Sequence, residues 1–238
     1  GGVGFIGYHL VRALFARGDS VRVLDDFSDA PYPRAMKERN ERDLLALGQP
    51  VEIVRGCVTD AAKVAEVVRG ASSVFHLAGL AGVRPSFADP VRYARINVDG
   101  TAVVLEAAIA ARIPRLVVAS SSSVYGNSTP LPATEDAPCV APESPYAASK
   151  RGAELLAMAT VKKAPELACA ALRFFTVYGP RQRPEMAITL FARAILAGRP
   201  ITVFGDGSMK RDFTHVDDIA RGVLAAEARA PRGFSAWN

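Results

Sequence analysis

The chain opens on three glycines at a spacing of three, Gly1, Gly4 and Gly7, and the apolar residues that follow recur at helical spacing until Gly18. Such glycines let the backbone turn tightly and approach a phosphate group, whose charge then lies at the positive N-terminus of the helix. The motif therefore predicts a phosphate-binding turn and helix. An ordinary tight turn before a helix would have the same spacing.

A short β-rich segment, Ser20-Val-Arg-Val-Leu-Asp-Asp26, follows this helix and ends in two carboxylates. An acid about 20 residues after such glycines accepts hydrogen bonds from the adenosine ribose of a bound dinucleotide. Asp25 would also repel a 2′-phosphate, so the sequence predicts NAD rather than NADP as the cofactor. The alternative is that Asp25 only ends a strand.

Strand-like segments alternate with helical ones along most of the chain, with strands expected at 51–56, 73–79, 115–120 and 167–178. This alternation predicts an α/β fold with a Rossmann-type doubly wound parallel sheet. Ligands of such sheets bind beyond the carboxyl ends of the strands. We therefore expect the turn Leu77-Ala-Gly79 to contact the cofactor.

Other segments are expected to have structural roles. Residues 87–112 predict a long helical stretch interrupted by Pro90, and the segments 200–207 and 211–218 predict a small strand, a turn and an amphipathic helix. The charged segment 31–43 predicts a surface excursion without chemistry. The chain's histidines, His9, His76 and His215, are expected to be structural.

Composition excludes several classes of protein. Half of the 238 residues are hydrophobic and 22% are charged, which predicts a soluble globular protein with a large core. The net charge of +5 comes without a basic stripe, so no nucleic-acid partner is expected. Three widely spaced cysteines favour neither a disulfide framework nor a metal site. No apolar run of membrane-spanning length is present, and a reducing cytoplasm fits best.

Tyr146 and Lys150 stand four residues apart, so in a helix both side chains project from one face. An ammonium beside a phenol favours the phenolate and lowers the tyrosine pKa from about 10, which produces a base. The serine run from Ser120 to Ser123 follows a predicted strand, where a reacting group is expected. Without this context the pair could be an ordinary helix surface and the serines a solvated loop.

The chain resembles the extended short-chain dehydrogenases/reductases of the nucleotide-sugar epimerase/dehydratase group over essentially its whole length. The resemblance rests on motifs in a fixed order: G-x-x-G-x-x-G, the strand-end Asp25, His76-Leu-Ala-Gly79, Ser-Ser-Val-Tyr-Gly, Tyr146-x-x-x-Lys150, Leu172-Arg-Phe-Phe-Thr-Val-Tyr-Gly-Pro180 and Arg211-Asp-Phe.

The resemblance implies roles for named residues. The catalytic trio would be Ser121, Tyr146 and Lys150. The NAD site would comprise Gly1, Gly4, Phe5, Ile6, Gly7, Asp25, Asp26, Cys57, Val58, Leu77, Ala78, Gly79, Ala81, Asn97, Ser120, Tyr146, Lys150 and Phe175. The substrate site would comprise Arg84, Ser86, Ser121, Ser122, Thr176, Arg183, Phe204 and Arg211. Cys57 stands where the family usually has an aspartate, so one adenine contact would differ.

The implied chemistry begins when Tyr146 takes the proton of the sugar 4-hydroxyl while NAD accepts the C4 hydride, which leaves a 4-keto sugar. Related 4,6-dehydratases carry an Asp-Glu pair just before Val-Tyr-Gly, and related decarboxylases carry a Glu there. This chain has Ser122 and Ser123 at those positions, which favours epimerisation.

The segments around Arg84 and Arg183 are most similar to those of the UDP-glucuronate 4-epimerases in this family. In that group an arginine meets the sugar carboxylate, and the resemblance implies this role for Arg183, whose guanidinium can bind a carboxylate bidentately. The alternatives are a neutral UDP-glucose substrate with Arg183 as an ordinary loop residue, and a non-catalytic NAD-binding protein on the same fold. The resemblance also implies a homodimer.

The domain organisation expected from the resemblance is an NAD-binding Rossmann domain over 1–179 and a partial, interleaved nucleotide-sugar-binding portion over 180–238. The glycine turn has no strand before it in this sequence, so we expect the first, central strand of the sheet to be missing, together with a part of the substrate-binding portion. A sheet without its central strand leaves backbone groups unpaired. We therefore expect the chain by itself to be unstable and inactive.

Overall fold

The computed structural model describes residues 1–29, 32–203 and 205–238. The strands are β1 (Val21–Asp25), β2 (Val51–Arg55), β3 (Ser73–His76), β4 (Arg115–Ser121), β5 (Ala168–Phe174), β6 (Thr176–Tyr178), β7 (Phe213–His215) and β8 (Gly233–Trp237). The helices are α1 (Phe5–Arg17), α2 (Arg34–Leu45), α3 (Ala61–Val68), α4 (Val83–Ala88), α5 (Pro90–Ala94), α6 (Gly100–Ala110), α7 (Pro145–Thr160), α8 (Ala187–Leu196) and α9 (Val216–Arg229). Shorter helical segments are a π-helical turn at Arg95–Asp99 and 3₁₀ turns at Ser122–Tyr125 and Val161–Lys163.

The largest sheet has the strand order β3-β4-β5-β8, and its neighbouring strands are parallel. Its central strands are almost wholly buried, as expected for strands covered by helices on both faces. One face packs against α6 and α7 around Leu105 and Leu116, and the other packs against α1 and α9 around Leu10, Val117 and Val223. The predicted α/β fold with a doubly wound parallel sheet is confirmed.

The parallel pair β1-β2 forms a separate ladder, and a groove of about 600 Å³ lies between β1 and β3. The facing edges of these strands line the groove together with apolar side chains of α1, α3 and α6. In the described part of the chain, β1 pairs with β2 alone and β3 with β4 alone. Strands β1 and β3 are therefore neighbours across this groove without pairing with each other.

Two predicted elements are divided in the structure. The helical stretch expected at 87–112 consists of α5, the π-helical turn and α6, and Asp89 caps α5 by accepting a hydrogen bond from the Arg92 amide at 3.1 Å. The long strand expected at 167–178 breaks at Phe175, because β6 leaves the main sheet to pair with β7. The small strand of the later segment is β7, and the described residues of 200–207 contain none.

The segment 180–238 is divided between two places. Strand β8 returns to the main sheet beside β5, and α9 packs on α1. Strand β7 instead pairs with β6 in a separate two-stranded parallel sheet. The domain boundary expected after 179 stays a prediction. None of the helices formed by the described residues is long and apolar enough to cross a membrane.

Candidate active site

A cavity of about 430 Å³ opens at the carboxyl ends of β1, β3, β4 and β5. Most of the residues singled out in the sequence line it: Gly1, Gly4, Phe5, Ile6, Gly7, Asp25, Asp26, Cys57, Val58, Leu77, Ala78, Gly79, Ala81, Ser120, Ser121, Ser122, Tyr146, Lys150, Phe175, Thr176 and Arg183. Parallel strands bring their carboxyl ends to one edge, and this explains how residues so distant in sequence meet.

The glycine turn forms one wall of the cavity. The Gly4 amide donates to the Gly1 carbonyl at 3.2 Å, and α1 begins at the next residue without a side-chain cap. A Cβ atom on Gly7 would lie 2.2 Å from the Gly1 carbonyl oxygen, so only glycine fits this close approach. The turn thus leaves the N-terminus of α1 open for a pyrophosphate, as dinucleotide binding requires.

The carboxylates at the end of β1 have a partner that the sequence did not indicate. Lys37 Nζ lies 3.2 Å from Asp25 Oδ1 and 3.3 Å from Asp26 Oδ1 and lines the same cavity. Burial alone would raise the pKa of Asp25, whereas the Lys37 ammonium and a hydrogen bond from the Phe27 amide lower it. The prediction that this segment carries no chemistry missed Lys37. The inward spacing of Lys37, Asn40 and Leu44 along α2 was the available signal.

Asn97 binds the turn after β3 on the side away from the cavity, and it is 1% exposed. Its Oδ1 accepts from the Leu80 amide at 2.8 Å, and its Nδ2 donates to the Leu80 carbonyl at 3.0 Å and to Ser149 Oγ at 2.9 Å. Asn97 does not line the cavity, so any part it has in NAD binding passes through the turn. Tyr93, which the sequence did not single out, donates to the Ala81 carbonyl at 2.9 Å.

Helix α7 presents Tyr146 and Lys150 to the cavity, as their spacing predicts. Ser144 starts this helix by accepting a hydrogen bond from the Ala147 amide at 3.1 Å. The Ser121 hydroxyl opposes the rise of the Tyr146 pKa, and the Tyr146 ring packs edge-on against Tyr93 at 6.2 Å between centroids. The predicted trio is therefore assembled in one place.

The structure does not show the expected lowering of the Tyr146 pKa by Lys150. Burial raises the pKa of Tyr146, and the groups that oppose this rise are Ser121 and Arg183. Lys150 donates instead to the Ala119 carbonyl at 2.8 Å, and burial lowers its own pKa to about 8. Desolvation thus outweighs the expected stabilisation of a phenolate.

The serine run divides its side chains between two environments. Ser121 Oγ accepts from the Ser123 amide at 3.2 Å, and Ser122 begins the 3₁₀ turn beside the cavity. Ser120 also lines the cavity, but its hydroxyl donates to Glu154 at 2.5 Å. The run is therefore the end of β4 and the wall of the cavity rather than a solvated loop.

Some predicted substrate residues lie apart from the cavity. Ser86 is fully buried and donates to the Val83 carbonyl at 2.6 Å, while Arg84 and Arg211 are exposed outside the lining. Phe204 lies outside the described residues. The roles assigned to these four residues stay predictions.

The histidines have the structural surroundings expected of them. His76 is buried, its Nε2 lies 3.0 Å from Thr101 Oγ1, and burial lowers its pKa to about 3, so the ring is neutral. His9 contacts the Pro180 carbonyl at 3.0 Å and Asp217 Oδ1 at 3.1 Å. His215 caps α9 by accepting a hydrogen bond from the Asp217 amide.

One cleft contains a glycine turn, strand-end acids and a Ser-Tyr-Lys trio. This combination on a Rossmann-type fold is typical of dinucleotide-dependent enzymes. The profile of the NAD-dependent epimerase/dehydratase family matches residues 1–237. The chain belongs to this family, and the glycine cradle described above fits its cofactor, NAD.

Two curated members of this family are similar to the chain in sequence. UDP-glucuronate 4-epimerase 3 of Arabidopsis thaliana is 42% identical over 233 residues, covering 95% of this chain and 53% of the plant protein. The UDP-glucuronate 4-epimerase of Thermodesulfobacterium geofontis is 39% identical over 240 residues, covering 100% of this chain and 72% of its own length. The chain thus spans about half the length of the plant relative.

Among solved structures, the UDP-glucuronic acid 4-epimerase of Bacillus cereus in complex with UDP-glucuronic acid and NAD superimposes with a TM-score of 0.88. The two sequences are 34% identical, and the match covers 98% of this chain and 73% of that one. The fold described above is therefore the fold of a nucleotide-sugar epimerase.

The close approach at Gly7 gives a prediction for NAD binding. Gly7→Ala should raise the Kd for NAD at least about tenfold, because the added methyl displaces the turn that faces the pyrophosphate. The matched control is Gly222→Ala in α9, where a Cβ meets nothing within 4 Å. Calorimetric titration with NAD measures both variants, and equal affinities would contradict a phosphate-binding role for the turn.

Proposed function

We propose that this chain carries the NAD-dependent 4-epimerisation of a UDP-sugar, converting UDP-glucuronate to UDP-galacturonate. The observation that carries the proposal is the placement of Arg183 in one cavity with Tyr146 and Ser121. Relatives named UDP-glucuronate 4-epimerase support the same assignment.

Tyr146 and Ser121 act on the 4-hydroxyl of the sugar in this proposal. Both side chains line the same cavity, so one sugar oxygen can contact both hydroxyl groups. Tyr146 removes the proton from that oxygen and returns it after the sugar has turned over. Held by the glycine turn and Lys150, NAD would supply the hydride acceptor for C4 and the hydride donor for the opposite face of the 4-keto sugar.

The charge state of Tyr146 decides when this proton can move. Burial favours the neutral phenol, while Ser121 and Arg183 favour the phenolate. Lys150 faces the region of Gly79, since a Cβ there would lie 3.0 Å from its Nζ. We assign Lys150 to the ribose of NAD and to support of the phenolate once the site is filled.

The distribution of acids favours epimerisation over elimination of water. Among the described residues that line the cavity, the carboxylates are Asp25 and Asp26, and both lie at the end of β1. Ser122 and Ser123 also line it, and a serine hydroxyl does not serve as an acid near neutral pH. The 4-keto sugar therefore meets no carboxyl group there that could drive elimination.

Arg183 supports a substrate that carries a carboxylate, since a guanidinium binds a carboxylate bidentately. UDP-glucose is the second candidate substrate, and one contact favours it. Arg183 Nη1 lies 3.0 Å from Glu185 Oε1, so part of its charge is already neutralised. A uronic acid would have to compete with Glu185 for the guanidinium.

The test compares two substrates on Arg183→Ala. Its kcat/KM for UDP-glucuronate should fall roughly 30-fold further than that for UDP-glucose, because a charge-assisted hydrogen bond is worth about 2 kcal/mol. Arg221→Ala, which removes an exposed arginine of α9, is the control and should change neither value. The 4-epimers are measured by chromatography. Equal losses on both substrates would refute the carboxylate role. Absence of a 4-epimer from unaltered protein that melts cooperatively and binds NAD would leave a non-catalytic NAD-binding protein.

We further propose a homodimer that works in the cytoplasm. Apolar side chains are exposed on neighbouring helices: Phe87 on α4, Val91 on α5, and Leu155 and Met158 on α7. Burying such a patch against a second copy is favourable. The thiols of Cys57, Cys139 and Cys169 are free, which suits a reducing compartment. A single monomeric species at micromolar concentration in sedimentation velocity would contradict the dimer.

A further inference from the structure

Glu154 is a buried acid on α7, the helix that carries Tyr146 and Lys150, and the mechanism above does not use it. It follows Lys150 by one helical turn and Tyr146 by two, so the three side chains share one side of α7. Tyr146 and Lys150 line the cavity, whereas Glu154 is 1% exposed and enters the wall behind it. An acid in such a place must be paired, because an isolated buried charge is costly.

The partners of Glu154 come from the two central strands. Ser120 on β4 and Arg173 on β5 are directly opposite each other in the parallel ladder. Ser120 Oγ donates to Glu154 Oε1 at 2.5 Å, and the Arg173 guanidinium donates to Oε1 at 3.0 Å and to Oε2 at 3.1 Å. One carboxylate on α7 therefore binds one register pair of the sheet.

These contacts connect the segments that hold the catalytic residues. Ser120 precedes Ser121, and Arg173 lies two residues before Phe175 at the cavity. Arg173 also donates to Tyr125 Oη at 3.0 Å, which ties in the 3₁₀ turn that begins at Ser122. A shift of α7 relative to β4 would separate Tyr146 from Ser121, and it would first have to break the bonds of Glu154.

The charges around Glu154 are mostly positive. Lys150 and Arg151 lie on its own helix, with Arg151 Nη1 at 2.9 Å from Glu154 Oε2, and Arg173 faces it from β5. Cys139 is a further titratable group in this region, and burial raises the pKa of its thiol. Burial would raise the pKa of Glu154, but hydrogen bonds from Arg173 and Ser120 outweigh it, and the carboxylate stays ionised. Burial lowers the pKa of Lys150, and the negative charge of Glu154 opposes that lowering.

We propose that Glu154 is a positioning residue for the catalytic trio: its carboxylate holds α7 against the Ser120–Arg173 pair, which keeps Tyr146 opposite Ser121, and it supplies a buried negative charge one turn from Lys150. The inference rests on the proposed function for its kinetic part. Its electrostatic part concerns the protein alone.

The test uses Glu154→Gln, which keeps the shape of the side chain and removes the charge. Without that charge Lys150 should lose its proton about one pH unit lower than in the unaltered protein. NMR of protein with ¹³C-labelled lysine measures this titration, with Lys150→Met assigning the resonance. Glu106→Gln is the matched control, because Glu106 pairs with Lys163 at the surface and both side chains are more than half exposed.

Kinetics test the positioning role. Glu154→Gln should lower kcat for UDP-glucuronate at least about tenfold with little change in KM, since misalignment of Tyr146 affects the reacting geometry more than binding. The alkaline limb of its pH profile should move to lower pH together with the Lys150 titration. Ser120→Ala keeps every charge and removes one bond, so it should lower kcat several-fold without moving the titration, and it provides the kinetic test should Glu154→Gln not fold.

The outcomes separate the two proposals. An unaltered protein that melts cooperatively and binds NAD but forms no 4-epimer refutes the proposed function, while the Lys150 titration still decides the charge role of Glu154. An active protein whose Glu154→Gln variant keeps both the Lys150 titration and kcat overturns the positioning role. So does a Ser120→Ala variant with unchanged kcat where Glu154→Gln fails to fold.

Discussion

The parallel pairing of β4 with β5 is the constraint on which the site depends. Register partners run from Arg115 opposite Ala168 to Ser121 opposite Phe174, so both strands end at the same level. The cavity forms at that level because the chain must leave the sheet there on both strands. Helix α7 packs on one face of the sheet and places Tyr146 in the cavity at this level. A slip of one residue in this ladder would turn Ser121 to the other face and remove it from the trio.

Buried charge is the second determinant of the site. Tyr146 and Lys150 both lie where desolvation disfavours their charged forms, which raises the pKa of the phenol and lowers that of the ammonium. Ser121 and Arg183 oppose the effect of burial on the Tyr146 pKa, and the charge of Glu154 opposes its effect on the Lys150 pKa.

Much of this site could be predicted from the sequence because its motifs are local. A glycine turn, a strand ending in Asp25 and a Tyr-Lys pair on one helix each depend on residues a few positions apart. Lys37 and Tyr93 were missed because their roles depend on tertiary packing: α2 folds back on β1, and α5 crosses the turn after β3. The break at Phe175 was missed for the same reason, since local β-propensity continues while the pairing partner changes from β8 to β7.

We propose that C4 of a UDP-sugar gives up a hydride in this cavity and receives it back before the product leaves. Incubation with NAD and UDP-glucuronate carrying deuterium at C4 tests it most directly, with products followed by mass spectrometry and reduced nicotinamide by absorbance. We expect UDP-galacturonate that retains deuterium at C4 and no accumulation of NADH. Loss of the deuterium to solvent, or a 4-keto product released together with NADH, would contradict the claim.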